Sequence, residues 1–149
     1  MNLGIYLPML EPNLVSAAVK ECKVGLDSGL LSDASICFDN IGPTEPQNVC
    51  GMFDSTCLWD FTGTLVVVHP NSLQTVKAIT NKHDIVYYSG IAGNVNVLQL
   101  LQLINGNMRF IATTAQESDN FYRTTGCRTE GYTPLFEGLL ELIGGNNDE

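Results

Sequence analysis

His69 and Asp39 are the side chains whose types and positions best suit proton transfer in this chain. His69 closes the run TLVVVH (64–69) and is followed by Pro70; Asp39 closes the run DASICFD (33–39). A neutral imidazole at the end of a buried strand can act as a general base, with a carboxylate across a crevice orienting it. The plainer reading, which we prefer, has His69 hydrogen-bonding a loop carbonyl. His83 sits in the polar stretch NKHD and reads as a solvated turn residue.

A second group is Ser89, Gly90, Gly93 and Thr113. Gly90-x-x-Gly93 lies between a strand pattern and a helix start, where backbone N–H groups can hold a phosphate or another anion. The spacing is not Gly-x-Gly-x-x-Gly, and no Gly-Lys-Ser/Thr is present. A tight turn accounts for both glycines, and that is the reading we prefer. Asp54, Ser55 and Asp60 surround Trp59, and such a set can bind a metal or a sugar. The reading we prefer makes Trp59, with Phe53, Leu58 and Phe61 nearby, a plug that packs the loop onto the sheet. Glu117 and Asp119 fit the first turn of a helix, where acids complement the dipole. The five cysteines (Cys22, Cys37, Cys50, Cys57, Cys127) include no Cys-x-x-Cys. Cys22 and Cys37 fall on apolar stripes. Free thiols and no metal site are expected, and no cofactor is expected either. No nucleophile elbow, zincin pair or flavin fingerprint occurs.

The elements that must carry these residues alternate. Strands are expected at 3–9 (halted by Pro8), 33–39, 64–69, 84–89 and 108–113, with a short sixth at 128–133. A helix opening at Glu11-Pro12 carries Leu14, Ala18 and Cys22 on one face and stops at Gly29. A second is capped by Asn71 or Ser72, and a third by Asn94 or Asn96 and ended by Gly106. A fourth runs from about 116 to 125 and stops at Gly126. A last helix starts at Pro134 with Leu135, Phe136, Leu139, Leu140 and Ile143 inward, and ends at Gly144-Gly145. Residues 40–62 carry too many breakers for regular structure and read as an inserted irregular loop; 146–149 form a polar tail. This order implies a single α/β domain over 1–149, with a mostly parallel sheet and helices on both faces. Flavodoxin-like and Rossmann-like strand orders both fit it. Ligands of such sheets bind at the carboxyl ends of the strands.

Composition excludes some partners. Sixteen acids against seven bases give a net charge of −9, which repels phosphate backbones and anionic membranes, so neither nucleic acid nor membrane is an expected partner. Only 15% of residues are charged, which suits a chain that buries surface in its own core or in a neighbour. The first apolar run is too short for a signal peptide or a membrane span, which points to the cytosol.

The stretch Leu58-Trp59-Asp60-Phe61-Thr62-Gly63 leading into TLVVV resembles a segment of small glycosyltransferase-like proteins of T4-like marine bacteriophages, including cyanophages. ATTAQESDNFYRTTG followed by Glu130-Gly131, and the opening LGIYLP with EPNL, are similar to the same family. The resemblance spans nearly the whole chain. It implies a Rossmann-like domain similar to one half of a two-domain glycosyltransferase. Its donor-binding half lies outside these 149 residues, and no catalytic residue carries over.

Two readings follow. In the first, a phage protein uses this domain as a non-catalytic binding or virion-structural module. It sits in the host cytoplasm or the virion and has a protein partner or self-assembles. In the second, the chain is a sugar-nucleotide-dependent glycosyltransferase or a subunit of one, with His69 as base, Asp39 as its partner and a sugar nucleotide in the strand-end crevice.

Overall fold

The computed structural model describes residues 1–42, 49–79, 83–92, 95–104 and 107–144. Among them are strands β1 (Asn2–Met9), β2 (Asp33–Asn40), β3 (Gly51–Asp54), β4 (Gly63–Val67), β5 (His83–Ser89) and β6 (Arg109–Ala112). All neighbouring pairs are parallel, in the order β3-β2-β1-β4-β5-β6. This is the Rossmann order, not the flavodoxin one. The helices are α1 (Pro12–Ser28), α2 (Pro70–Lys77), α3 (Val97–Leu103), α4 (Ala115–Thr125) and α5 (Leu139–Gly144), with a 3-10 turn over Ser55–Trp59. No helix among the described residues is long and apolar enough to cross a membrane.

Strand alternation divides the core between the two faces of the sheet. Leu3, Ile5 and Leu7 of β1 join Val66, Val86, Tyr88 and Ile111 on one face. There they pack against Val15, Ala18 and Cys22 of α1 and Leu139, Leu140 and Ile143 of α5. Tyr6, Cys37, Leu65, Val67, Tyr87 and Phe110 point to the other face, against Leu73 and Val76 of α2, Leu100 of α3 and Phe121 of α4. Helices on both faces explain why β4 reads as an unbroken apolar run: neither side meets water. Gly29 and Gly126 end α1 and α4 in the left-handed conformation, as their positions in the sequence suggest.

Several boundaries differ from the sequence reading. Pro8 does not halt β1, which continues to Met9. Pairing of β1 with β4 stops at Tyr6, while pairing with β2 continues to Met9. Pro8 therefore lies where one side of the strand is already unpaired and its missing N–H costs little. The stretch 40–62 is not an irregular loop throughout. It holds β3 and the 3-10 turn, although 43–48 lie outside the described residues. β3 is a four-residue edge strand, too short to show a period. The strand expected at 128–133 reduces to one parallel bridge, Ala112 to Tyr132. α5 begins at Leu139, not at Pro134, because Leu135 and Phe136 adopt positive φ (43° and 66°). That turn sends Phe136 into the core and leaves Leu135 half exposed, where the sequence stripe had both inward. The plug of the 51–61 region is Leu58, fully buried, while Trp59 and Phe53 are more than half exposed. Gly106 and Gly145 lie outside the described residues.

Candidate functional site

In this strand order the chain leaves β1 and β4 toward opposite faces, through α1 and α2, which opens a crevice between their carboxyl ends. The wall beyond β1 is Leu10-Glu11-Pro12. Leu10 is buried, and its N–H donates to the Asn40 carbonyl (3.2 Å). The Glu11 N–H donates to the Met9 carbonyl (3.0 Å). Glu11 is the N-cap of α1, with no side-chain capping bond, and Pro12 contributes no N–H. A glycine-rich phosphate turn would expose backbone donors here. This turn spends them on carbonyls and adds a carboxylate.

The wall beyond β4 carries His69. It is the N-cap of α2 rather than the end of a strand; β4 stops two residues earlier. Pro70 at the first helical position favours an extended residue before it, and His69 has φ −140° and ψ 143°. Asn71 and Ser72, the caps expected from sequence, therefore lie inside the helix. His69 Nδ1 accepts from the Asn71 N–H (3.0 Å), which places the proton of the neutral ring on Nε2. The free nitrogen is then a donor, whereas a general base needs an acceptor.

Asp39 is exposed at the end of β2, and its Oδ1 accepts from the Tyr6 hydroxyl (2.5 Å). β1 stands between β2 and β4, so Asp39 and His69 sit two strand spacings apart, roughly 10 Å along the sheet. The two side chains are bonded to different partners. Burial raises the pKa of the Tyr6 phenol above its ordinary value, and the adjacent Asp39 raises it further, so Tyr6 stays a donor. The hydroxyls of Thr75 and Ser55 also face it.

Ser89, Gly90 and Thr113 do come together, at the carboxyl ends of β5 and β6. The Thr113 N–H donates to the Ser89 carbonyl (3.0 Å). A Cβ on Gly90, whose φ is 108°, would lie 2.1 Å from Thr113 Oγ1. Gly93 lies outside the described residues. The group that joins the cluster is Glu117, which sequence reasoning explained by the helix dipole alone. Thr114 caps α4 by accepting the Glu117 N–H (3.0 Å), and the Glu117 carboxylate accepts from Ser89 Oγ (2.8 Å). The Thr-x-x-Glu spacing of a capping box was legible, but here the glutamate turns to Ser89. An internal carboxylate thus stands at the mouth of the helix where an external anion would bind. Burial first, and the Glu117 carboxylate second, raise the pKa of the Tyr87 phenol above its ordinary value.

Asp54 caps the 3-10 turn, accepting from the Thr56 N–H (3.0 Å) and from the Thr56 hydroxyl. The hydroxyl first, and the N–H second, hold its carboxyl below the usual range. This bonding favours the charged form, so its contribution is present above the ordinary aspartate value and lost as pH falls through the lowered one. An NMR titration is expected to show an Asp54 midpoint below that of free aspartate, with the Thr56 amide shift following it. A midpoint at or above the free value would contradict the cap. Asp60 is exposed, and no cluster of three or more His, Cys, Asp or Glu suited to a metal exists among the described residues.

Residues that sequence reasoning missed are mainly ties between elements. Glu21 of α1 is buried and accepts from the Gly138 and Leu140 N–H groups (3.3 and 3.0 Å). Arg109 of β6 pairs with Glu130 (2.8 Å) and donates to the Ile143 carbonyl (2.7 Å). Cys37 meets Cys57, Sγ to Sγ 3.0 Å. None of these pairs has a signal in local spacing. A groove of about 630 Å³ between α1 and α5 has a mixed lining that includes Val24, Leu30 and Leu135 with Lys20, Glu21 and Glu141.

No protein-family model, curated protein or solved structure matches the chain.

Proposed function

We propose that this chain is a binding or assembly module that uses a Rossmann-like sheet without catalysing a reaction on it. The observation that carries this reading is the β1–α1 turn. Its Leu10 and Glu11 N–H groups are bonded to carbonyls, Pro12 has none, and Glu11 adds negative charge. Asp39 and Glu117 continue the acidic line along the same edge. A diphosphate would meet carboxylates along this edge, and at the turn itself backbone donors begin only at Asn13, beyond Pro12. The same edge is rich in exposed apolar side chains: Met9 at the end of β1, Ile41 (80% exposed) after β2, and Leu98 (72% exposed) in the first turn of α3. Such a surface suits a protein partner or a second copy better than a phosphorylated ligand. With the resemblance to phage glycosyltransferase-like proteins, the reading becomes a bacteriophage module in the virion or the host cytoplasm.

The strand order itself favours the second reading, a sugar-nucleotide glycosyltransferase or a subunit of one, since this architecture binds nucleotides at the crevice where His69 stands. A thermal-shift titration against a panel of sugar nucleotides, with mass in solution recorded alongside, separates the two. A ligand at 100 times its Kd stabilises by about 2.7 kcal/mol. The expected result is no shift with any sugar nucleotide, together with a defined oligomer or a captured complex. A clear shift with one nucleotide, lost in His69→Ala, would overturn the module reading.

A further inference from the structure

We propose that Cys37 and Cys57 form a two-electron thiol–disulfide site that fastens the Ser55–Trp59 turn to β2. The two sulfurs are 3.0 Å apart, against about 2.05 Å in a disulfide, so closure needs only a small shift. Cys37 is fully buried on the face that carries α2, and Cys57 is half buried above it. Cys57 also lines a pocket of about 250 Å³ with Ser35, Gly51, Phe53 and Phe61, which gives a small molecule a way in. The geometry therefore assigns different roles to the two thiols. Cys57 is the entry thiol, and Cys37 the resolving one.

The chemistry balances with a small-molecule disulfide as oxidant. The Cys57 thiolate attacks one sulfur of RSSR, forming a mixed disulfide and releasing one RS⁻, which takes up the proton Cys57 lost. The Cys37 thiolate then attacks the Cys57 sulfur, closing the protein disulfide and releasing the second RS⁻, which takes up the proton from Cys37. Two protein thiols are oxidised and RSSR is reduced to two RSH. Burial pushes the Cys37 thiol up and still does so once Cys57 carries the adduct, so resolution is the slow step near neutral pH and speeds with rising pH. The turn that the bond would fasten also carries Ser55, whose hydroxyl faces Tyr6 and through it Asp39. Oxidation at this site thus fixes one wall of the strand-end surface.

The test is incubation of the full chain with glutathione disulfide, followed by non-reducing peptide mapping. Cleavage after Asp39 and Asp54 places Cys37, Cys50 and Cys57 on separate peptides. The expected course is a glutathione adduct on Cys57 that decays into a Cys37–Cys57 linked peptide. The closed form should melt about 10 °C higher, a change reversed by dithiothreitol. Cys37→Ser should stop at the Cys57 adduct, and Cys57→Ser should leave Cys37 unmodified while folded. If the buried Cys37 variant does not fold, the wild-type time course decides. A lasting Cys57 adduct, a Cys50–Cys57 link, or no modification of Cys57 would each overturn the proposal.

Discussion

Phe136→Ala is expected to lower the stability of the fold by about 3–5 kcal/mol, the usual range for emptying a large aromatic site. Phe136 is fully buried, its ring 5.2 Å from that of Tyr88 and among side chains of α1 and α5. It reaches that place only through a turn with two non-glycine residues at positive φ, a conformation that costs of order 1–3 kcal/mol per residue. The Tyr88 hydroxyl holds the turn, donating to the Thr133 carbonyl and accepting the Phe136 N–H (3.2 Å). Burial of the ring is what offsets the strain, so removing it leaves the strain without compensation. Urea unfolding followed by circular dichroism measures the effect. Leu135→Ala, on the neighbouring half-exposed residue, should change stability by less than about 1 kcal/mol. Equal effects at the two positions would show that the turn does not depend on Phe136.

The same turn shows where sequence reasoning stops. The stripe Leu135, Phe136, Leu139, Leu140, Ile143 has helical spacing, and its last three members do face the core from α5. Helical spacing cannot report that a tyrosine 48 residues earlier bonds the Phe136 N–H and makes a non-helical start cheaper. β4 was legible for the opposite reason: TLVVV is buried on both faces, and its composition alone demands an interior strand. β3 was not, because four residues on a sheet edge carry no period and sit among glycines and prolines. Trp59 was read as the centre of the plug because of its size, whereas direction from the 3-10 turn buries its neighbour Leu58 instead.

The candidate site was legible in its place and less so in its pairings. The carboxyl edge followed from alternation, and Ser89, Gly90 and Thr113 do meet there. Their partner Glu117 was visible as a helix-start acid, but its bond to Ser89 crosses 28 residues. His69 and Asp39 were set at the same edge, and the strand order then put β1 between them, with Tyr6 claiming Asp39. Sequence fixes which residues reach a sheet edge. Strand order, which alternation does not encode, determines which of them are neighbours.

Glu21→Ala is expected to cost about 2–4 kcal/mol, although it removes a charge from an already acidic chain. Glu21 bonds the N–H groups at the start of α5 from 117 and 119 residues away, supplying the cap that a helix otherwise finds next to it. One turn further along α1, Gly25 leaves room for Leu140; a Cβ there would lie 2.4 Å from its Cδ1. The close approach of the two helices makes the carboxylate reach both donors, and it buries the bond to Leu140, while the bond to Gly138 is half-buried beside the groove. Alanine therefore leaves the buried Leu140 N–H unpaired, whereas the Gly138 N–H can turn to water in the groove. Glu21→Gln keeps one carbonyl oxygen but sets an amide N–H₂ against the second donor, and should lose about half as much. Urea midpoints rank the three proteins, and amide exchange at Gly138 and Leu140 locates the loss. Faster exchange confined to α5 and the Thr133–Gly138 turn is expected, because the Cys37–Cys57 pair and α2 pack on the opposite face of the sheet. If exchange instead rose equally on both faces, Glu21 would be holding the whole sheet together rather than docking one helix onto it.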